Sequence, residues 1–143
     1  MHIGIVLAAL SGWYLSGLSV TVGLVVYPSF SSVDDERWIT FHQRHSQRIS
    51  YAVALPWLVE AVGLSIWLIA DPRSTWLDWT LSALGALASV VLTIAGAIPA
   101  HQRLGAGFDQ AVSARLIKIH WWRTGAWIVS ASAATAALLW ILG

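Results

Sequence analysis

The sequence contains no cysteine and few charged residues. Of its 143 residues only 10% are Asp, Glu, Lys or Arg, whereas roughly 25% is usual in soluble globular domains. The absence of Cys excludes disulfides, thiolate nucleophiles and thiolate metal sites. Eight basic and seven acidic side chains cannot cover the surface of a soluble protein of this length. The sequence therefore excludes most soluble folds, and the solvent around the protein is predicted to be largely lipid.

An excess of either charge is also lacking, since the net charge is only +1. Proteins that bind nucleic acid neutralise its phosphates with cations clustered on one face. The near balance of charge therefore argues against a nucleic-acid partner. The partner that the sequence does predict is the lipid bilayer.

Hydrophobic residues are abundant, at 57% of the chain, and they gather in four long runs. A helix needs about 20 apolar residues to cross roughly 30 Å of hydrocarbon. Runs of that length, with Glu60 as their only charge, cover residues 3–27, 49–70, 79–100 and 124–143. They lack the short alternating segments of membrane β-barrels. The sequence predicts one all-α domain over residues 1–143, an integral membrane four-helix bundle.

The Lys and Arg residues are distributed unequally between the predicted loops. Seven of the eight fall in the two loops that would share one side of the membrane: Arg37, Arg44, Arg48, Arg103, Arg115, Lys118 and Arg123. The other side holds only Arg73. Because the side with the excess of basic residues stays in the cytoplasm, both termini are predicted to lie outside. The expected location is the inner (plasma) membrane, as a multi-pass protein.

Two of the helices are predicted to begin before the hydrocarbon does. Ser32, followed by three acidic residues, is typical of a helix start, with Ser as the cap and the acids favoured by the helix dipole. Asp109 after Gly107 makes a similar start. The second helix would then run from near Val33 to Ala70, and the fourth over 110–142.

Four of the five histidines fall near the same predicted membrane face: His42, His45, His101 and His120. Imidazoles gathered there can bind a transition metal or haem iron, or act as acid and base near neutral pH. By helical phase His42 and His45 share one stripe of the second helix, which predicts that both face inward. A histidine at a membrane boundary can also simply bond a lipid phosphate or a helix-end carbonyl, so a structural role stays open.

Two charged residues are candidates beside the histidines: Glu60, which lies inside a span and apart from them, and Arg123, which lies near His120. Charges inside a membrane are costly and usually mark function, so Glu60 is a protonated structural acid, a proton relay or the floor of a cavity beneath the histidines. It lies 18 residues beyond His42, about 27 Å along a helix, and cannot share a metal ion with it. Arg123 is predicted to share a face with His120, where a cation suits an anionic or enolate-like oxygen.

Five short strings of the sequence occur together in one known kind of protein. They are Trp38-x-x-Phe41-His42, Arg48-Ile49, Pro56 with Glu60, Pro99-x-His101-x-x-Leu104-x-x-Gly107-Phe108-Asp109, and Trp121-x-Arg123-Thr124-x-x-Trp127. As a set they resemble bacterial four-span membrane proteins related to the anthrone-oxygenase-like family, over about residues 27–127. The resemblance implies a small membrane oxygenase-like fold in which the recurrent polar positions are His42, His101, Asp109 and Arg123. The chain departs from that pattern at His45, where Tyr is common, and at His120, where Asn is common.

Three functions remain as hypotheses. The first is an oxygenase-like oxidoreductase for a hydrophobic, ring-containing small molecule, in which His42 or His101 removes a proton and Arg123 stabilises the oxyanion, with Asp109 added by the resemblance. The second is a module that binds haem or a transition metal, with cofactor contacts from His45, His120 and Glu60 and with metal ligands drawn from His42, His45, His101 and His120. The third is a non-catalytic accessory subunit or transport component, as a homo-oligomer or within a membrane complex.

Overall fold

A computed structural model describes residues 2–70 and 75–143 of the chain, and these residues form helices without strands. The helices are α1 (Ile3–Thr21), α2 (Asp35–Ala70), α3 (Trp76–Leu92), α4 (Ile98–Leu104) and α5 (Gln110–Leu142). A π-helical segment, Val22–Val26, extends α1, and a second one, Thr93–Ala97, joins α3 to α4. A 3-10 helix covers Pro28–Ser32. Arg73, on which the predicted orientation partly depends, lies outside the described residues.

Four helical runs in the described part of the chain are long and apolar enough to cross a membrane: Ile3–Ser32, Asp35–Ala70, Trp76–Leu104 and Gln110–Leu142. The predicted fold, an all-α bundle of four membrane-spanning helices, is therefore confirmed. One predicted span falls on each run. The orientation of the termini and the identity of the membrane stay predictions.

The starts of α2 and α5 show one wrong prediction and one local motif. Asp109 has an extended backbone, and its carboxylate accepts a hydrogen bond from the Val112 N–H at 2.9 Å, which caps α5. Ser32 does not cap α2, because it belongs to the 3-10 helix that begins at Pro28, and Val33 is extended. The helix begins at Asp35 instead.

Close backbone contacts hold α1 against α2 and α3 against α5. A Cβ atom on Gly63 would lie 2.8 Å from the backbone nitrogen of Ala8, and one on Gly85 would lie 2.6 Å from the carbonyl oxygen of Ala126. Small residues permit such approaches between membrane helices. α1 also packs along α5, whereas α2 and α3 have few contacts with each other. The bundle is thus closely packed between most neighbours and less closely packed between α2 and the run containing α3 and α4.

The end of the bundle that holds the connections at residues 33–34 and 105–109 is called the basic end, because seven of the eight Lys and Arg lie near it. Its core combines aromatic and aliphatic side chains, and Trp38 donates a hydrogen bond from Nε1 to the carbonyl oxygen of Leu104 at 2.6 Å. Since Trp38 is on α2 and Leu104 ends α4, this bond ties the two helices together at the basic end. The candidate site lies beside it.

Candidate functional site

Two histidines and a tyrosine form a hydrogen-bonded chain at the basic end. Nε2 of His42, on α2, lies 3.1 Å from Nδ1 of His101, on α4. Nε2 of His101 lies 3.3 Å from the phenol oxygen of Tyr27. A hydrogen bond between two ring nitrogens needs one donor and one acceptor, so at most one of the two rings is an imidazolium. The three side chains therefore provide a continuous path for a proton, here called the His42–His101–Tyr27 chain.

The two π-helical segments position the residues of this chain. The backbone N–H of Tyr27 bonds the carbonyl oxygen of Val22 at 2.9 Å, which is the i to i+5 bond of a π-helix. The second π-helical segment ends at Ala97, just before the short helix that carries His101. Each segment holds one more residue per turn than an α-helix does and so rotates the residues after it, and such segments are frequent at functional sites.

The π-helical segments were not predicted from the sequence. Each contains a glycine, and a glycine inside an apolar helix can indicate close approach of a neighbouring helix. A Cβ atom on Gly23 would lie 2.9 Å from the ring of Trp121 and 3.1 Å from that of His120. A Cβ atom on Gly96 would lie 2.9 Å from the side chain of Ile119. Both glycines thus make room for bulky side chains of α5 at the level of the site.

His45 joins the cluster without joining the hydrogen-bonded chain. Its ring centroid lies 5.2 Å from that of Phe30, 6.0 Å from that of His101 and 6.2 Å from that of Tyr27. Its Nε2 is buried and has no hydrogen-bond partner. His45 therefore offers an unused donor or acceptor next to the chain.

His120 is buried and acts first as a link between helices. Its Nε2 lies 2.7 Å from the carbonyl oxygen of Ser19, and because a carbonyl only accepts, this nitrogen carries the hydrogen and donates it. Its ring meets Tyr27 edge to face at 4.8 Å between centroids, and its Nδ1 has no hydrogen-bond partner. His120 thus ties α5 to α1 and packs against Tyr27 of the His42–His101–Tyr27 chain.

The predicted four-histidine metal site stays a prediction. No group of three or more His, Cys, Asp or Glu among the described residues is arranged to hold a metal ion. The reason is that His42 and His101 direct nitrogens at each other, and His120 directs one at the carbonyl oxygen of Ser19. These nitrogens would have to exchange their present partners to converge on one ion.

Of the charged candidates, Arg123 lies at the cluster, whereas Asp109 is occupied at a helix start. The guanidinium of Arg123 is within electrostatic reach of Tyr27, His101 and His120. Its Nε is buried and has no hydrogen-bond partner. Asp109 is exposed and caps α5, which is a sufficient structural reason for an acid at that position. Arg123 is therefore a cation close to the cluster, although it lines neither of the two cavities beside it.

Glu60 belongs to a separate polar network in the middle of the bundle. It is 2% exposed, and its Oε1 accepts a hydrogen bond from Ser130 Oγ at 2.9 Å. Ser130 Oγ lies 3.1 Å from Ser82 Oγ, and since its one hydrogen goes to Glu60, Ser82 is the donor in that pair. The second oxygen of Glu60 has no partner. This network links α2, α5 and α3, at about 27 Å of helix from His42.

Two cavities border the histidine cluster. The larger, of about 1030 Å³, lies between α2 and the first helical run, Ile3–Ser32, and His45 lines it. The smaller, of about 390 Å³, lies between α2 and α4, and His42 and His101 line it. Apolar and polar residues contribute in about equal number to the rest of both linings, and most of the exposed lining surface is apolar. A hydrophobic small molecule therefore has a route to the His42–His101–Tyr27 chain.

Chemically, the cluster combines a proton path, a nearby cation and apolar access. Such a combination suits removal of a proton from a hydrophobic molecule and stabilisation of the anion that results. Comparison of the chain with models of protein families, with curated proteins and with solved structures finds no match.

Proposed function

We propose that the protein is an oxygenase-like membrane oxidoreductase that removes a proton from a hydrophobic, ring-containing small molecule. The observation that carries the proposal is the hydrogen bond between His42 Nε2 and His101 Nδ1 at 3.1 Å, at the wall of an apolar cavity. The resemblance of the sequence to the anthrone-oxygenase-like family supports the same chemistry. In that family's terms the substrate is an anthrone-like ring system with an acidic C–H bond.

His42 is the proposed base. Its Nε2 is engaged by His101, whereas its Nδ1 lies beside Gly105, which lines the smaller cavity with it. When His42 donates through Nε2 and His101 donates to Tyr27, Nδ1 of His42 holds a free lone pair. It takes the proton from carbon, and the positive charge is then shared between the two rings.

Arg123 is the proposed partner of the anion. Loss of the proton moves negative charge onto the carbonyl oxygen of the substrate, and a nearby guanidinium stabilises that charge as it develops. O2 then oxidises the carbanion. One of its atoms becomes a new carbonyl oxygen on the carbon, and the other leaves as water with the two hydrogens that the carbon has lost.

Oxygen consumption by the purified protein tests this function. With an anthrone or quinol substrate, we expect uptake that falls about 100-fold to 10,000-fold in a His42→Ala, His101→Ala double variant, the range for loss of a general base. His2→Ala, which changes a histidine at the other end of α1, is the matched control and retains uptake. Equal uptake in wild type and the double variant would refute the proposal. A haem absorption band or a bound metal in the purified protein would favour the cofactor-binding alternative.

A further inference from the structure

The larger cavity combines an apolar wall with arginines that have no acidic partner. Its lining includes Val22, Val25 and Ile49 on the apolar side. Three arginines of α2 also line it, Arg37, Arg44 and Arg48, of which the last two are one helical turn apart. In the described residues neither Arg44 nor Arg48 forms an ion pair, and the single acidic residue of the lining is Glu36. The cavity is thus amphipathic and carries an excess of positive charge.

The depth of these residues matches the layers of a membrane. Ile49 begins the predicted second span, and Arg48 and Arg44 precede it by one and five residues, or about 2 and 8 Å along the helix. The headgroup layer is about 5 to 8 Å thick on each side of the hydrocarbon. Arg44 and Arg48 therefore lie at headgroup level, and the apolar wall below them lies at acyl-chain level.

The cavity is also open toward the surroundings of the bundle. Val25, which lines it, is 65% exposed. A molecule already dissolved in the bilayer therefore reaches the cavity sideways, without crossing the bundle. At about 1030 Å³ the cavity is at the upper end of the range for ligand sites, about 300 to 1000 Å³.

We infer that this cavity binds an anionic phospholipid of the surrounding bilayer. The phosphate accepts hydrogen bonds from Arg44 and Arg48, and an acyl chain lies along the apolar wall of the first run and α2. Basic pockets between membrane helices recognise acidic headgroups in this way. The unpaired Nε2 of His45, which also lines the cavity, provides a further polar contact. The inference does not depend on the proposed oxygenase function.

Native mass spectrometry of the detergent-purified full chain tests the site. Phosphatidylglycerol is titrated against phosphatidylcholine, and wild type is expected to retain the acidic lipid preferentially. Arg44→Gln with Arg48→Gln should weaken its retention about 25-fold, at roughly fivefold for each arginine. The matched control is Arg103→Gln with Arg115→Gln, which removes the same charge at the basic end outside this cavity and should leave retention unchanged.

A second pair of variants tests the apolar wall without changing charge. Val25→Trp fills the cavity and should reduce retention of phosphatidylglycerol, whereas Leu24→Trp, at an exposed neighbour outside the lining, should not. Equal losses in both arginine variants, no loss in either, or equal retention of the two lipids by wild type would each overturn the inference. So would displacement of the lipid by inorganic phosphate at the same concentration. No oxidation is measured in these experiments, so their failure is distinct from failure of the proposed function.

Discussion

Two buried polar networks, the histidine cluster and the Glu60 network, occupy different levels of the bundle. They are buried to a similar extent but differ in whether a cavity gives a small molecule access to them. His42 is 3% exposed and Glu60 is 2% exposed. His42 lines the smaller cavity beside the cluster, whereas Glu60 lines neither of the two cavities there and bonds Ser130 between helices. A buried ionisable residue thus becomes a candidate for chemistry only where a small molecule can reach it. By that criterion the histidine cluster is the candidate site that we propose, and the Glu60 network links α2, α5 and α3.

The sharpest test of this comparison is oxygen uptake in His101→Ala beside Glu60→Gln. Loss of His101 breaks the hydrogen-bonded chain in its middle, and uptake should fall about 100-fold or more because a general base loses its partner. Glu60→Gln should change uptake less than about twofold. An equal fall in both variants would show that the two networks act together.

The opposite outcome is expected for stability. Glu60→Ala leaves a void and deprives the buried Ser130 hydroxyl of its acceptor, and an unsatisfied buried group costs about 1 to 3 kcal/mol. The free energy of unfolding in detergent, measured by circular dichroism, should fall by at least that amount. Glu60→Gln keeps the volume and one acceptor and should cost less. A Glu60→Ala variant as stable as wild type would contradict a structural role for this network.

The packing of the first π-helical segment is tested by Gly23→Ala. The added Cβ would lie 2.9 Å from the Trp121 ring and 3.1 Å from the His120 ring, and such overpacking costs about 1 to 3 kcal/mol. The midpoint of thermal unfolding should fall. Gly17→Ala is the matched control on α1, where the new Cβ meets nothing within 4 Å. Equal midpoints for the two variants would argue against close packing at Gly23.

The smallest effect is expected at Tyr27, the last residue of the His42–His101–Tyr27 chain. Tyr27→Phe removes one hydrogen bond to His101, worth about 1 kcal/mol, and should lower oxygen uptake about fivefold to tenfold. Tyr51→Phe makes the same change at a residue that is 72% exposed and should have no effect. If Tyr27→Phe were as active as wild type, the functional chain would end at His101.

Much of the architecture depends on local features of the chain. Four apolar runs predict four helices because the backbone in hydrocarbon must satisfy its own hydrogen bonds. Asp109 caps α5 because its backbone is extended, which lets its carboxylate reach the first free N–H groups of the helix. The Ser32 cap was wrong for an equally local reason, since Pro28 starts a 3-10 helix that includes Ser32.

The pairing of the side chains depends on contacts between helices that are distant in sequence. The sequence brought four histidines near one face and left a metal or haem site among the alternatives, but it carried no information on which nitrogen meets which partner. Packing pairs His42 with His101 across 59 residues and sends His120 to the carbonyl of Ser19 across 101 residues. Hydrophobic length and capping act within one helix and can be predicted along the chain, whereas the partner of a buried imidazole depends on the rotation and approach of several helices together.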